Sequence, residues 1–560
     1  MSTILSRLDG ATLRQHYASG HWIDETIHAS ATRHAARSPE AVAIREASGT
    51  LNRRDLMAAV DALAATLHAQ GLRRGDRVAV WLPSRAETAV ALLACSRNGY
   101  VVCPSLHRDH SVEDVAELVE RMRAAAVLHE DGYGADIGAA GLAARIADVT
   151  SVRWVGKLPP RSPRTGADAS DLLTDLRELL DPSATPPPIH TDPDTVSYLA
   201  FTSGTTGEPK GVMHTDNTIA AATRAMTADW GLDHSSVIYS LSPLSHNLGF
   251  GAMVLALTGG GELVIHDLPR GASLAERLTE TGATFALGVP THAVDLLTEL
   301  ERPDAPRLTR LRGFRISGAA IAPRVARALI DRGIVPQSGY GMTEGGSHHY
   351  TRPEDGAERI AETSGRPFAG HHARIVALDD PDREIAAGEV GQITSDGPSV
   401  TVGYFGDQQR TEESFNRAGW LLTGDLGWAD DDGYIRITGR KKELIIRGGH
   451  NIHPARIERL ATAHPDVEQA AAIPVPDERL GERVGLVLRL ASGATLDDAA
   501  LFAHLAEQGL SRYEMPEHLA LVEAMPLTAS GKVAKRELVD RLADGSLQLR
   551  AVRFTAAPST

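Results

Sequence analysis

Between Tyr198 and Thr218 the chain reads YLAFTSGTTGEPKGVMHTDNT. Gly204 and Gly207 let this segment bend without a Cβ penalty, and Thr202, Ser203, Thr205 and Thr206 set hydroxyl donors beside free N–H groups. Such a loop can wrap an anion. Lys210 adds one compact positive charge on a flexible four-carbon stem, suited to a polyphosphate that shifts during a reaction. It is not a Walker A loop, because Glu208-Pro209 separate Gly207 from Lys210 where that motif needs Gly-Lys-Ser/Thr in succession. Lysine is scarce elsewhere: the other five are Lys157, Lys441, Lys442, Lys532 and Lys535. Arginine does most of the basic work, and five of the six lysines fall in this loop or in the motifs below, where a compact, flexible point charge can serve better than a planar guanidinium.

The elements that must position these groups follow from length and periodicity. A chain of 560 residues exceeds one hydrophobic core, and at roughly 100 to 200 residues per domain it suggests about three folding units. Hydrophobic residues at 42% and charged residues at 23% describe an ordinary globular chain; aromatics at 4% leave little for base-stacking surfaces. The net charge of -15 gives no counterion-release affinity for nucleic acid, so any phosphate must be held by a built site. The N-terminus lacks the apolar core of a signal peptide, and no apolar run approaches membrane-spanning length, so the reading is a cytoplasmic protein without a membrane or nucleic-acid partner. Cys95 and Cys103 are too few for a disulfide framework and read as packed thiols.

From about residue 28 to 150, helical periods alternate with short apolar runs such as DRVAVWL, the pattern of βα units feeding a parallel sheet. Residues 157–195 form a proline-rich connection around one short helix. SVIYSLSPL, GELVIHD, TFALGVP, GFRISGAAI and VPQSGYGMTE then read as strands ending in turns, which brings their C-terminal loops to one rim. After Gly388, alternation with glycine turns predicts a smaller barrel or sheet, and the last hundred residues predict a compact α+β lid.

The loop, together with SPLSHNLGF (242–250), SGYGMTEGG (338–346), GEVGQITSDGPSVTVGYFGD (388–407), WLLTGDLGWADDDGYIRITGRKKELIIRGGHNIHP (420–454) and PLTASGKVAKREL (526–538), resembles the adenylate-forming superfamily of acyl-CoA synthetases, adenylation domains and beetle luciferases. The likeness runs over roughly residues 28 to 540. It implies an α/β fold: a large N-terminal domain of stacked mixed α/β sheets with a small β-rich subdomain (1–440), a small mobile α+β lid (441–545) and a tail (546–560). It also implies roles residue by residue. Tyr340 offers a flat face for adenine, with Gly341, Met342 and Thr343 beside it, and Ser317, Gly318, Ala319 and Ala320 line the other side. Glu344, with Thr202, holds Mg2+ between phosphates. Asp425 accepts the ribose hydroxyls, Arg440 and Asn451 contact the nucleotide, and Lys442 is the hinge about which the lid turns. Lys532 reaches in during adenylation to draw carboxylate and α-phosphate together. Lys535 has no such role and is expected on the surface. His246 and Asn247 gate the acyl pocket together with Gly345, although Ser245 replaces the aromatic residue common there. Gly448 and Gly449 let a pantetheine arm pass along bare backbone. The pairs His348-His349 and His371-His372 lack the pattern of a metal site.

The function implied is an ATP-dependent carboxylic acid–CoA ligase for a small or medium acid, alicyclic and aromatic acids included. ATP, Mg2+ and CoA are the small molecules required, in a monomer or homodimer. The rival is an adenylating enzyme that hands its acyl group to a carrier-protein thiol in trans or to another small nucleophile. A nucleotide-binding protein without chemistry would have lost Lys532 or Glu344, and both are present.

Overall fold

The computed structural model describes residues 7–136, 141–160, 172–202, 209–269, 271–318, 321–448, 450–528 and 532–553. The chain divides into two compact units, Met1–Ala373 with Ser395–Leu421, and Arg374–Thr394 with Leu422–Thr560.

Among the described residues the first unit holds a nine-stranded and a seven-stranded sheet. In the larger sheet Glu262–Ile265, Val237–Ser240, Phe285–Gly288, Gly313–Ser317 and Val335–Met342 lie side by side and parallel. Their ends at Ser240, Gly288, Ser317 and Met342 therefore hand the chain to loops along one edge, the place where open α/β sheets bind ligands. Alternation sorts each strand's side chains: Phe314 and Ile316 enter one core, while Leu287 enters the other with Phe250 and Leu255. The helix Asn247–Gly259 covers that second face. Its apolar residues run round all sides, so it is buried along most of its length and stops at Gly260, whose φ of 75° suits only glycine comfortably. Beside it, the helix Asp216–Asp229 starts at a capping box in which Thr215 and Thr218 satisfy each other's backbone N–H.

The smaller sheet carries the antiparallel hairpin Val196–Thr202 and Lys210–Thr215, in register so that Thr202 faces Lys210. The strand Gly403–Tyr404, some two hundred residues later, adds to this hairpin with Tyr404 opposite Val212. Cys95 and Cys103 are buried free thiols, as expected.

The second unit is built on a four-stranded sheet containing Leu421–Ala429 and Ile435–Arg440, and on a sheet whose longest pair is Val467–Asp477 with Gly481–Leu490. The latter is covered by the helices Pro454–Thr462, Asp498–Glu507 and Lys535–Ala543. The unit begins upstream of residue 441, so the β-rich segment is compact with the lid sequence; Lys441, for instance, donates to the Leu378 carbonyl (3.0 Å). Lys535 corrects the sequence reading. Far from being a loose surface residue, it bridges Glu443 and Glu458 at 2.9 Å each and is only 24% exposed. No described helix is long and apolar enough to cross a membrane.

Candidate active site

In the first unit the expected groups converge through backbone register. The hairpin fixes Lys210 opposite Thr202, and the added strand sets Tyr404 beside it, with the Lys210 ammonium 5.2 Å from the Tyr404 ring centre. The Tyr404 hydroxyl donates to Glu344 Oε1 at 2.8 Å. Glu344 lies in the turn after Val335–Met342, and the segment before Tyr404 clamps that turn twice: Thr401 N–H donates to the Glu344 carbonyl (2.7 Å) and Ser399 Oγ to the Gly345 carbonyl (2.6 Å). His214 completes the support. Its Nε2–H donates to the Thr343 carbonyl (2.7 Å), and burial lowers its pKa to about 4, so the ring is neutral. Burial and the Glu344 carboxylate both raise the pKa of Tyr404, which keeps it a donor. Tyr404 was not among the site residues expected from sequence, although it lies within the glycine-rich 388–407 motif.

Glu344 is 7% exposed, and its second oxygen has no hydrogen-bond partner among the described residues. One anchored carboxylate with a spare oxygen fits a magnesium ion, which is commonly held by one or two carboxylates plus phosphates and water. The described residues hold no group of three or more His, Cys, Asp or Glu arranged for a metal.

Tyr340 is nearly buried, with the ring of His348 edge-on at 4.9 Å. Gly341 has an internal reason to be glycine: a Cβ would stand 2.2 Å from the Gly346 carbonyl oxygen in the tight hairpin. Ser317 ends its strand with its hydroxyl donated to the Gly339 carbonyl (2.9 Å). Residues 203–208 of the hydroxyl-rich loop, with Ala319 and Ala320, lie outside the described residues.

A small cavity of about 50 Å³, open at one side, lies beside this cluster. Met226, Phe250, Leu255 and Leu287 give it apolar walls, and Thr343 and Gly346 from the Glu344 turn border it. Asn247 lines it too. Gly345 is buried against His348. His246 occupies the N-cap position of the helix Asn247–Gly259 and its ring stacks on that of His107 at 4.1 Å, while His107 Nδ1 meets Ser245 Oγ at 3.1 Å.

The second unit assembles its own set. Asp425 and Arg440 are paired across the Leu421–Ala429 and Ile435–Arg440 strands, and Arg440 Nε meets Asp425 Oδ1 at 3.0 Å. Asp425 is 5% exposed. Lys442 stands exposed in a single turn, Lys441–Glu443, directly after Arg440. Lys532 is pinned through its backbone: its carbonyl accepts from Thr528 N–H (2.7 Å) and its own N–H donates to Thr528 Oγ1 (3.2 Å). The residue is solvent-accessible yet ringed by protein. Lost hydration, with the Arg440 charge nearby, holds its amine below the ordinary lysine value, while Asp425 and Glu443 pull the other way. Three of the expected groups, Lys532, Asp425 and Arg440, are thus brought together. Gly448 turns at φ 57° and Asn451 lies in the strand His450–Ile452; Gly449 is outside the described residues.

Parallel strand ends, an acidic turn and a lysine hairpin beside a mainly apolar cavity make this an α/β protein with a crevice of the kind that binds ligands. Residues 31–405 match the AMP-binding enzyme family and residues 456–532 match the AMP-binding enzyme C-terminal domain. The chain belongs to the AMP-binding enzyme family. It is 33% identical over 523 residues to the medium-chain fatty-acid–CoA ligase of Escherichia coli (strain K12), which covers 92% of this chain and 90% of that protein. It is also 33% identical over 531 residues to the 3-[(3aS,4S,7aS)-7a-methyl-1,5-dioxo-octahydro-1H-inden-4-yl]propanoyl:CoA ligase of Mycobacterium tuberculosis, covering 92% and 98%. The crystal structure of ATP-bound MatB from Rhodopseudomonas palustris superposes with a TM-score of 0.80 at 28% identity, covering 93% of this chain and 99% of that one.

Proposed function

We propose that the protein is an AMP-forming carboxylic acid–CoA ligase acting in the cytoplasm on a small or medium acid, alicyclic acids included. The observation that carries this reading is the apolar cavity bordered by the same turn that holds Glu344, so the tail of an acid and a phosphate-binding cluster share one wall. Similarity to CoA ligases for a medium-chain and an alicyclic acid supports it.

In the first half-reaction a carboxylate oxygen attacks the α-phosphorus of ATP, the bond from that phosphorus to the bridging oxygen breaks, and pyrophosphate leaves. Lys210 offsets phosphate charge, and Tyr404 keeps Glu344 oriented. Mg2+, held by Glu344 with Thr202, would supply neutralisation of the phosphate oxygens. Asp425 accepts the ribose hydroxyls, and Lys532 draws the two anions together. In the second half-reaction the CoA sulfur attacks the acyl carbon, the bond to AMP breaks, and the thiol proton passes to solvent. Rotation at Lys442 would exchange Lys532 for the Gly448 and Gly449 segment, along which pantetheine would approach. Both steps exclude water, because an acyl adenylate hydrolyses.

Carboxylate-dependent exchange of pyrophosphate into ATP tests adenylation, and CoA-dependent release of AMP tests the acceptor. Exchange without CoA-dependent AMP release would favour transfer to a carrier-protein thiol instead. Lys532→Ala is expected to lower adenylation by about a hundredfold or more while sparing thioester formation from a supplied acyl adenylate. Equal failure of both halves would refute the role given to that lysine.

A further inference from the structure

Arg315 lies on the strand Gly313–Ser317, in register with Leu287 and Gln337, and lines the cavity. It is 0% exposed. Its guanidinium fills the space left by Gly339, where a Cβ would stand 2.7 Å from Nη2 and 2.8 Å from Cζ. Nη1 donates to Gln337 Oε1, and the Tyr350 ring centre lies 5.8 Å from Cζ. Neither of these neighbours carries a negative charge.

Nε and Nη2 have no hydrogen-bond partner among the described residues, and neither has Nε2 of the adjacent Gln337. Nε and Nη2 form the side-on edge of the guanidinium, which matches the two oxygens of a carboxylate. Burial lowers the pKa of Arg315 to about 10, so it stays charged at neutral pH. A buried cation without an anion is strongly unfavourable. This chain shows how a structural one is satisfied: Arg85, equally hidden, meets Glu87 at 2.6 Å and Glu130 at 2.7 Å. Arg315 has no such carboxylate from the described protein.

Its depth matters as well. Ser317 stands at the strand's rim end on the same face, and two residues of strand put Arg315 about 7 Å further in. The walls between are apolar, with Leu287, Leu255 and Phe250 among them. An acid activated at the rim and carrying a second acceptor at its far end would meet the buried, unpartnered guanidinium edge with its methylenes against those walls.

We propose that Arg315 binds a distal carboxylate, and that the acids activated are dicarboxylic acids of short to medium length, adenylated at one end and held at the other. This rests on the acid–CoA ligase reading above. The test measures pyrophosphate release with succinate, adipate and suberate against butyrate, hexanoate and octanoate, with monomethyl suberate as a probe of like length and neutral end, and with an oxo acid of matching length. In the native protein kcat/KM should favour the dicarboxylate of the best pair by about tenfold or more, and the ester should fall with the monoacids. Arg315→Met should lose about a hundredfold on the dicarboxylate, mainly through KM, and reverse the ranking within the pair. Arg315→Lys should recover part of it.

A merely structural arginine would lower all acids alike and depress the melting temperature, whereas loss of an unpaired buried charge should leave melting unchanged or raised. Preference of the native protein for monoacids, the ester or the oxo acid would overturn the inference without any variant, and the ligase reading would survive. No pyrophosphate release with any acid would overturn both.

Discussion

At the scale of single residues the site depends on groups that orient other groups. Glu344 gains its direction from the Tyr404 hydroxyl, which also lies against Lys210. Tyr404→Phe keeps the ring and removes one hydrogen bond to a carboxylate. We expect kcat/KM for ATP to fall by about tenfold, with a raised requirement for Mg2+, because outer partners of metal ligands typically matter to that degree. An unchanged Mg2+ dependence would show that Glu344 needs no such support. The motif containing Tyr404 was visible in the sequence, but its task was not, since strand addition to a hairpin two hundred residues earlier creates the contact. Arg315 was less legible still. In GFRIS an arginine between apolar residues reads as the solvent side of a strand, and the largely apolar helix Asn247–Gly259 over that face turns it inward.

At the scale of elements, the parallel strands with their loops along one edge were readable because each ends in a local glycine or small-residue turn that periodicity exposes. The lid was legible as α+β, yet its internal ion pairs were not, because they join residues far apart in sequence. Lys535 binds Glu443 and Glu458 and so connects the helix Lys535–Ala543 to Pro454–Thr462 and to the turn Lys441–Glu443. Burial raises the pKa of Glu458, which leaves it dependent on its cation. Lys535→Met should destabilise the second unit by about 3 kcal/mol, since breaking one side of a buried pair strands the other charge. Thermal unfolding of the full chain measures this, and a melting curve superimposable on the parent's would contradict it.

At the scale of the whole molecule, histidine burial sets the response to acid. Burial lowers His28, His214 and His292 to about 4, and His107 and His348 to about 3. Between the ordinary histidine value of 6.5 and those values the unfolded chain binds protons that the folded chain refuses. Stability is therefore full above that window and declines as pH falls through it, by about 1.4 kcal/mol per pH unit for each such histidine. Melting temperatures across mildly acidic buffers should drop steadily, and a flat profile would mean the rings are protonated or hydrated in the native state. A separate consequence concerns the single turn Lys441–Glu443. Glu443, tethered by Lys535, immediately follows Lys442, so the turn Lys441–Glu443 is tied by an ion pair to the helix Lys535–Ala543. For the pivot proposed at Lys442 that tether leaves few torsions to turn, and Lys442→Pro should abolish one half-reaction while sparing the other, as assays of pyrophosphate exchange and of thioester formation from supplied acyl adenylate would report.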